Sequence, residues 1–187
     1  MIPIFSLVSA VPTSVETILK VPFLEQLWDD DKRGHGSCGP ASIAMCCRYV
    51  LGLNSPSIQD IVNVWRYLGG DPDGNDMNGT SLSQLVDSCH DCFKINSVHG
   101  SEMDVDSVKG EIAEGRPVVL HVLCEHLTNR GYPYKAGHWI AAVGFNDDYV
   151  ICNDPGTCRG FNKYYSNYDI TRAMADRSNE VICGFYR

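Results

Sequence analysis

The sequence predicts an α+β fold, and three observations carry that expectation. Helical patterns occupy the first two thirds of the chain and β-branched apolar runs the last third. No internal repeat, low-complexity tract or linker divides the chain. Its 187 residues, 44% of them hydrophobic, suit a compact domain with a full core. Residues 1–18 are expected to be an N-terminal extension and residues 19–187 the folded domain.

A helix is expected over residues 40–51, with Ser37 or Cys38 near its cap, Pro40 in its first turn and Gly52 just past its end. Ser57-Ile58-Gln59-Asp60 has the form of a capping box, and Ile58, Ile61, Val62 and Trp65 then fall on one helical face until Gly69-Gly70. A third helix starts near Thr80 and buries Leu82, Leu85 and Val86; a fourth over residues 105–114 turns Val108 and Ile112 inward and ends at Gly115. Residues 118–123, 138–145, 149–152 and 180–186 read as strands, and a short helix is capped near Ser166 with Asp169 three residues on.

Composition excludes several functions. A net charge of −8 and a pI near 5.1 do not suit a protein that tracks phosphate backbones, so nucleic acid is not an expected partner. No apolar run approaches the roughly 18 residues of a membrane span. Residues 2–11 are apolar and end near Ala10, but no Lys or Arg precedes them as a secretory signal requires, so synthesis in the cytoplasm is expected, with later delivery to the cell envelope left open. A monomer is expected. Of the nine cysteines, those other than Cys38 could pair in an oxidising compartment or stay buried thiols in a reduced one, and the reduced reading is the simpler. Cys89-His90-Asp91-Cys92 has half-site spacing for zinc but lacks a second pair. In the loop 71–76 the acidic oxygens alternate as in a calcium loop, yet Asp76 stands where the sharp turn needs glycine and Leu82 where a bidentate glutamate is needed, so a solvated turn is expected. No metal or organic cofactor is expected.

The chemistry concentrates elsewhere. A thiol becomes a good nucleophile when ionised, and a helix start lowers its pKa through partial positive charge and free N–H groups. Cys38 sits at such a start, among the small residues of Gly36-Ser37-Cys38-Gly39-Pro40-Ala41-Ser42. Gly137-His138-Trp139 opens one expected strand, and Asn153-Asp154-Pro155 closes the next across an Asn146-Asp147-Asp148 turn. With the turn centred near Asp147, the residue opposite His138 is about 156. Asp154 shares that partner's parity and can reach the same face as His138, where a carboxylate would orient the imidazole and favour its charged form. Asn153 is expected to point the other way. Gln26, after Val21-Pro22-Phe23-Leu24-Glu25 in what looks like an extended leading strand, could join the Cys38 N–H in stabilising an oxyanion. His35 reads as a glycine-flanked loop residue and His121 as a satisfied sheet residue. Tyr132-Pro133-Tyr134 could line the cleft ahead of His138, while Trp139 and Tyr149 read as packing.

Together, Val21 to Gln26, Cys38-Gly39-Pro40-Ala41-Ser42-Ile43-Ala44-Met45, Gly137-His138-Trp139-Ile140 and Asn153-Asp154-Pro155 resemble the papain-like peptidases related to bacteriocin-leader peptidases, family thirty-nine of the cysteine peptidases. The resemblance spans nearly the whole chain from Leu19. It implies a papain-like fold with Cys38 as nucleophile on the first helix, His138 as general base, Asp154 as its orienting acid and Gln26 as oxyanion donor. The Cys-Gly-Pro-Ala-Ser segment is also similar to the start of phytochelatin synthases, which share the fold. The stretch between Gln26 and Cys38 is longer than in leader peptidases fused to transporters, and in this the chain resembles the stand-alone branch.

The implied activity is hydrolysis of an amide bond through a thioester acyl-enzyme, on a peptide or a peptidoglycan stem peptide. The alternatives are an acyltransferase or deamidase on the same residues, and a catalytically inactive papain-like binding module.

Overall fold

The computed structural model describes residues 15–27, 36–70 and 79–187; the apolar stretch 2–11, His35 and the loop 71–76 lie outside them. In chain order the elements are β1 (Thr17–Ile18), α1 (Cys38–Val50), α2 (Ile58–Tyr67), α3 (Leu82–Phe93), β2 (Asn96–Gly100), α4 (Val105–Ala113), β3 (Val118–Leu123), a 3-10 turn (Cys124–His126), β4 (Gly137–Phe145), β5 (Tyr149–Asn153), β6 (Lys163–Ser166), α5 (Asn167–Ala175) and β7 (Val181–Tyr186).

Among the described residues the strands form one antiparallel sheet in the order β2-β7-β3-β4-β5-β6, with β1 added beside β4. Strand periodicity of two sorts its side chains into two layers. Val119, Ala141, Val143, Ile151 and Ile182 meet Ile43, Ala44 and Met45 of α1 and Leu85 and Cys89 of α3. Val118, Leu120, Val122, Ile140, Ala142 and Val150 on the opposite face meet Val108 and Ile112 of α4 and Ile170, Ala173 and Met174 of α5. The expected α+β architecture is thus present, with the Cys38 helix packed on an antiparallel sheet that carries His138, and with Asp154 immediately after β5.

Local differences from the expectation have physical causes. Ser37 is the N-cap of α1, but its hydroxyl accepts from Trp65 Nε1 at 2.8 Å and so does not cap the helix with its side chain. The capping box of α2 forms, and its Asp60 carboxylate also receives Arg48; the buried face is Ile61, Val64 and Trp65, with Ile58 exposed. Strands β1, β2 and β6 were not expected. They are short, and β2 (Asn-Ser-Val-His-Gly) and β6 (Lys-Tyr-Tyr-Ser) lie at the sheet edges, where alternation of apolar residues is weak. β1 pairs with β4 two residues before the boundary expected at 19.

Residues 21–26, expected as an extended leading strand, join no strand, and Gln26 lies at a bend. They are held by single contacts: Leu19 N donates to Val143 O at 2.8 Å, Gln26 N to Pro155 O at 2.9 Å, and Asn153 Nδ2 to Val21 O at 3.1 Å. Asn153 is fully buried and its Oδ1 also accepts from Asn162 N at 3.0 Å, so its side chain ties the leading segment to the loop after β5. Asn153→Ala would leave these buried backbone groups short of partners, which costs about 1–3 kcal/mol. Urea unfolding is expected to show a loss of that size with an unchanged m-value, and a loss below about 0.5 kcal/mol would mean that the segment is held without it.

Candidate active site

The site forms where the two layers meet at one end of the sheet. Cys38 is the first residue of α1, Pro40 lies in the first turn, and helical N–H groups and dipole are directed at the thiol. The sulfur-bearing residue is 8% exposed, so it lies at the floor of a cleft rather than on the surface. Gly39 follows for a steric reason: a Cβ there would stand 2.3 Å from Thr80 Oγ1 and 2.9 Å from Leu85 Cδ1, against the segment leading into α3. Ser42, one turn along, donates to Trp139 O at 3.1 Å and fixes α1 to β4 beside His138.

His138 and Asp154 keep the parity of Ile140 and Cys152, as the strand register requires. The Asn146 turn forms, with Asn146 Oδ1 accepting from Tyr149 N at 2.9 Å, and β4 pairs Ala141 with Asn153, so the ladder extrapolates to Gly156 opposite His138, as expected. Asp154 lies just beyond β5, and its Oδ1 sits 2.8 Å from His138 Nε2. Asp154 is fully buried and His138 nearly so. Burial alone raises a carboxyl pKa, yet the His138 charge and hydrogen bond, the Tyr165 hydroxyl and the Gly156 N–H hold Asp154 below its ordinary value. Burial likewise disfavours the imidazolium, but the Asp154 charge and hydrogen bond, then contact with Cys38, hold His138 well above the usual histidine range.

With Nε2 engaged by Asp154, Nδ1 is the ring nitrogen left for Cys38. Burial pushes the Cys38 thiol up; the hydrogen bond and charge of His138, then backbone hydrogen bonds at Trp139 and Gly39, outweigh burial and bring it below 9.0. The geometry therefore favours a thiolate–imidazolium pair, the reactive state of a cysteine nucleophile.

Gln26 is buried and lines the same cavity as Cys38, His138 and Gly156, so the structure brings all four expected site residues together. This cavity, about 580 Å³, is walled by Tyr132, Pro133 and Tyr134, as expected. The tyrosine rings stack at 4.2 Å and meet His138 edge-on at 5.5 and 5.8 Å. A second cavity of about 490 Å³ opens on the other side of Cys38 between Gly79, Thr80, Ser81, His121, Ala136 and Trp139. Gly137 borders both.

Sequence reasoning placed Tyr132 at the cleft but missed its bond to the carboxylate, and missed Tyr165 altogether. Tyr132 Oη donates to Asp154 Oδ2 at 3.1 Å and Tyr165 Oη donates to the same oxygen. Burial, with the Asp154 charge beside them, pushes both phenols far above their ordinary value, so they stay protonated donors. Tyr165 was legible only through the unpredicted strand β6.

Other candidates fall outside the site. Asn153 points away from His138, as expected. His121 stacks on Trp139 at 4.2 Å and its Nδ1 lies 2.8 Å from Glu180 Oε2, which satisfies it within the sheet. All nine cysteines are free thiols. Cys89 is buried among the α1 residues, while His90 is exposed and bonded to Asp91. Among the described residues one group has metal-ligand geometry, Glu125, His126 and Asp176, with ligand atoms within 4.8 Å of one another. The His126–Asp176 hydrogen bond satisfies that pair without an ion.

Comparison with known proteins agrees with this fold. The crystal structure of a C39-like peptidase from Bacillus anthracis superposes with a TM-score of 0.70 over 92% of this chain and 98% of that one, at 16% identity. The peptidase domain of Streptococcus ComA, a bi-functional ABC transporter of a quorum-sensing pathway, gives 0.61 over 89% and 98% at 13% identity. A double glycine motif protease from an AMS/PCAT transporter, in complex with its leader peptide, gives 0.55 over 90% and 93% at 17% identity. At these identities the likeness is one of fold. The search of curated proteins gives no match. The model of the Peptidase_C39 like family matches residues 18–178, most of the chain, and the chain belongs to that family.

Proposed function

We propose that this protein is a cysteine peptidase that hydrolyses an amide bond through a thioester on Cys38. The observation that carries the proposal is the buried hydrogen-bonded series Cys38, His138, Asp154 at the floor of a cleft open on both sides. The Cys38 thiolate attacks the substrate carbonyl carbon and a sulfur–carbon bond forms. The Cys38 N–H at the helix start and the Gln26 side chain face the developing oxyanion. His138 donates its proton to the amine nitrogen as the carbon–nitrogen bond breaks. Water, deprotonated by His138, then attacks the thioester, releasing the acid and the thiolate.

The two cavities acquire a direction from this chemistry. The leaving amine must lie within reach of the His138 proton, and the cavity that contains His138 is the one walled by Tyr132 and Tyr134. The cavity of His121 and Trp139 therefore takes the acyl side. An extended peptide laid across Cys38 fits this division, and a peptide or a peptidoglycan stem peptide is the proposed substrate class.

Three outcomes are expected. Alkylation of Cys38 by iodoacetamide should follow a thiolate titration with a midpoint below 9.0; His138→Ala removes the contribution that lowers it and leaves burial, so the midpoint should rise. Mass spectrometry of Cys38 labelling against pH checks this, and equal labelling rates for all nine thiols at neutral pH would favour a binding module instead. Gln26→Ala should lower kcat by about 100-fold with little change in KM, because the amide acts on the oxyanion. Wild type and Cys38→Ala, incubated with purified muropeptides and with a mixed peptide library, should differ in products absent from the variant. Muropeptide products would establish a cell-wall substrate, and products from ordinary peptides alone would remove it.

A further inference from the structure

The acyl-side cavity has a cationic neighbour that the mechanism does not use. Arg177 follows α5, its backbone N donating to Met174 O at 2.8 Å and its carbonyl accepting from Glu180 N at 3.1 Å, so the backbone that carries it is fixed. Its guanidinium lies flat on Gly137: a Cβ built there would be 2.7, 2.9 and 3.2 Å from Nη2, Cζ and Nε. Gly137, immediately before His138, leaves the guanidinium room to lie against the backbone at the edge of the cleft, and a side chain there would displace it. The positive charge also acts on His121, and both Gly137 and His121 line the acyl-side cavity with Cys38.

An arginine in a protein of net charge −8 ordinarily finds a carboxylate. This one does not, among the described residues, and its buried Nε has no hydrogen-bond partner. The two acids nearest in sequence are each committed to a histidine: Asp176 to His126, and Glu180 to His121 at 2.8 Å. A guanidinium with one face against Gly137 and its Nε buried keeps its terminal N–H donors for a partner in its own plane. The chemistry that fits is a carboxylate.

We propose that Arg177 is a specificity-determining residue, selecting substrates that carry an acidic side chain in the two residues on the acyl side of the scissile bond. This rests on the peptidase reading above. An exposed cleft ion pair of this kind changes reactivity by about two- to fivefold.

The test uses peptidyl vinyl sulfones, which trap the Cys38 thiol without turnover, in pairs that differ only by Glu or Gln at each acyl-side position. The rate of Cys38 labelling is read by mass spectrometry for wild type, Arg177→Gln, Arg177→Lys and Arg177→Glu, each first shown to unfold at a temperature close to wild type. The wild type should prefer the Glu member by about two- to fivefold at one position. Arg177→Gln should bring that ratio towards one, Arg177→Lys should retain part of it, and Arg177→Glu should invert it. A ratio near one in the wild type, or a ratio unchanged in Arg177→Gln, overturns the assignment while leaving the peptidase reading intact. Failure of every probe to label Cys38 faster than the other thiols overturns the peptidase reading and the assignment with it.

Discussion

A carboxylate with no exposure to solvent is the constraint around which this end of the molecule is organised. Moving an ion of that size out of water costs several kcal/mol even after relaxation, so Asp154 is tolerable only when its oxygens are fully satisfied. Its roughly four acceptor sites are all filled, by His138 Nε2, Gly156 N, Tyr132 Oη and Tyr165 Oη. Three different regions of the chain supply those donors in addition to the turn after β5 itself. Satisfying one side chain therefore fixes β4, the loop before it and β6 relative to one another.

The consequence for chemistry is a transfer of that electrostatic demand along the hydrogen-bonded series. The buried negative charge stabilises the imidazolium, and the imidazolium in turn stabilises a thiolate that burial would otherwise disfavour. Each charge is tolerable because of its neighbour, which is the condition under which buried ions avoid being neutralised. Cys38 adds the positive end of α1, so its ionisation does not depend on the sheet alone.

Much of this was legible in the sequence because it rests on local rules. The α1 start is marked by Cys38-Gly39-Pro40, and the pairing of His138 with Asp154 follows from the Asn146 turn and strand parity, with both neighbours of the turn reading as strands. What was not legible depends on edges and on side chains that leave their expected partners. Strand β6 has no apolar alternation, so the inward Tyr165 could not be placed against Asp154. Ser37 looks like a cap but is claimed by Trp65, and Arg48 turns the capping box of α2 into an interhelical contact. Residues 21–26 have strand composition, yet β5 offers them an asparagine side chain in place of a free edge.

The wall of the cavity beside His138 carries a second duty that limits how the cleft can adapt. Tyr132 stacks on Tyr134 to form the apolar surface that faces His138, and the same Tyr132 hydroxyl donates to Asp154. A substrate group that displaced this wall would strip a donor from a buried carboxylate and weaken the charge that holds His138 protonated. On the peptidase reading proposed above, substrate shape and nucleophile ionisation would be coupled through one side chain: groups that fit under the stacked rings would leave the thiolate intact, whereas groups that need the loop to move would lower the reactivity of the thiol they approach.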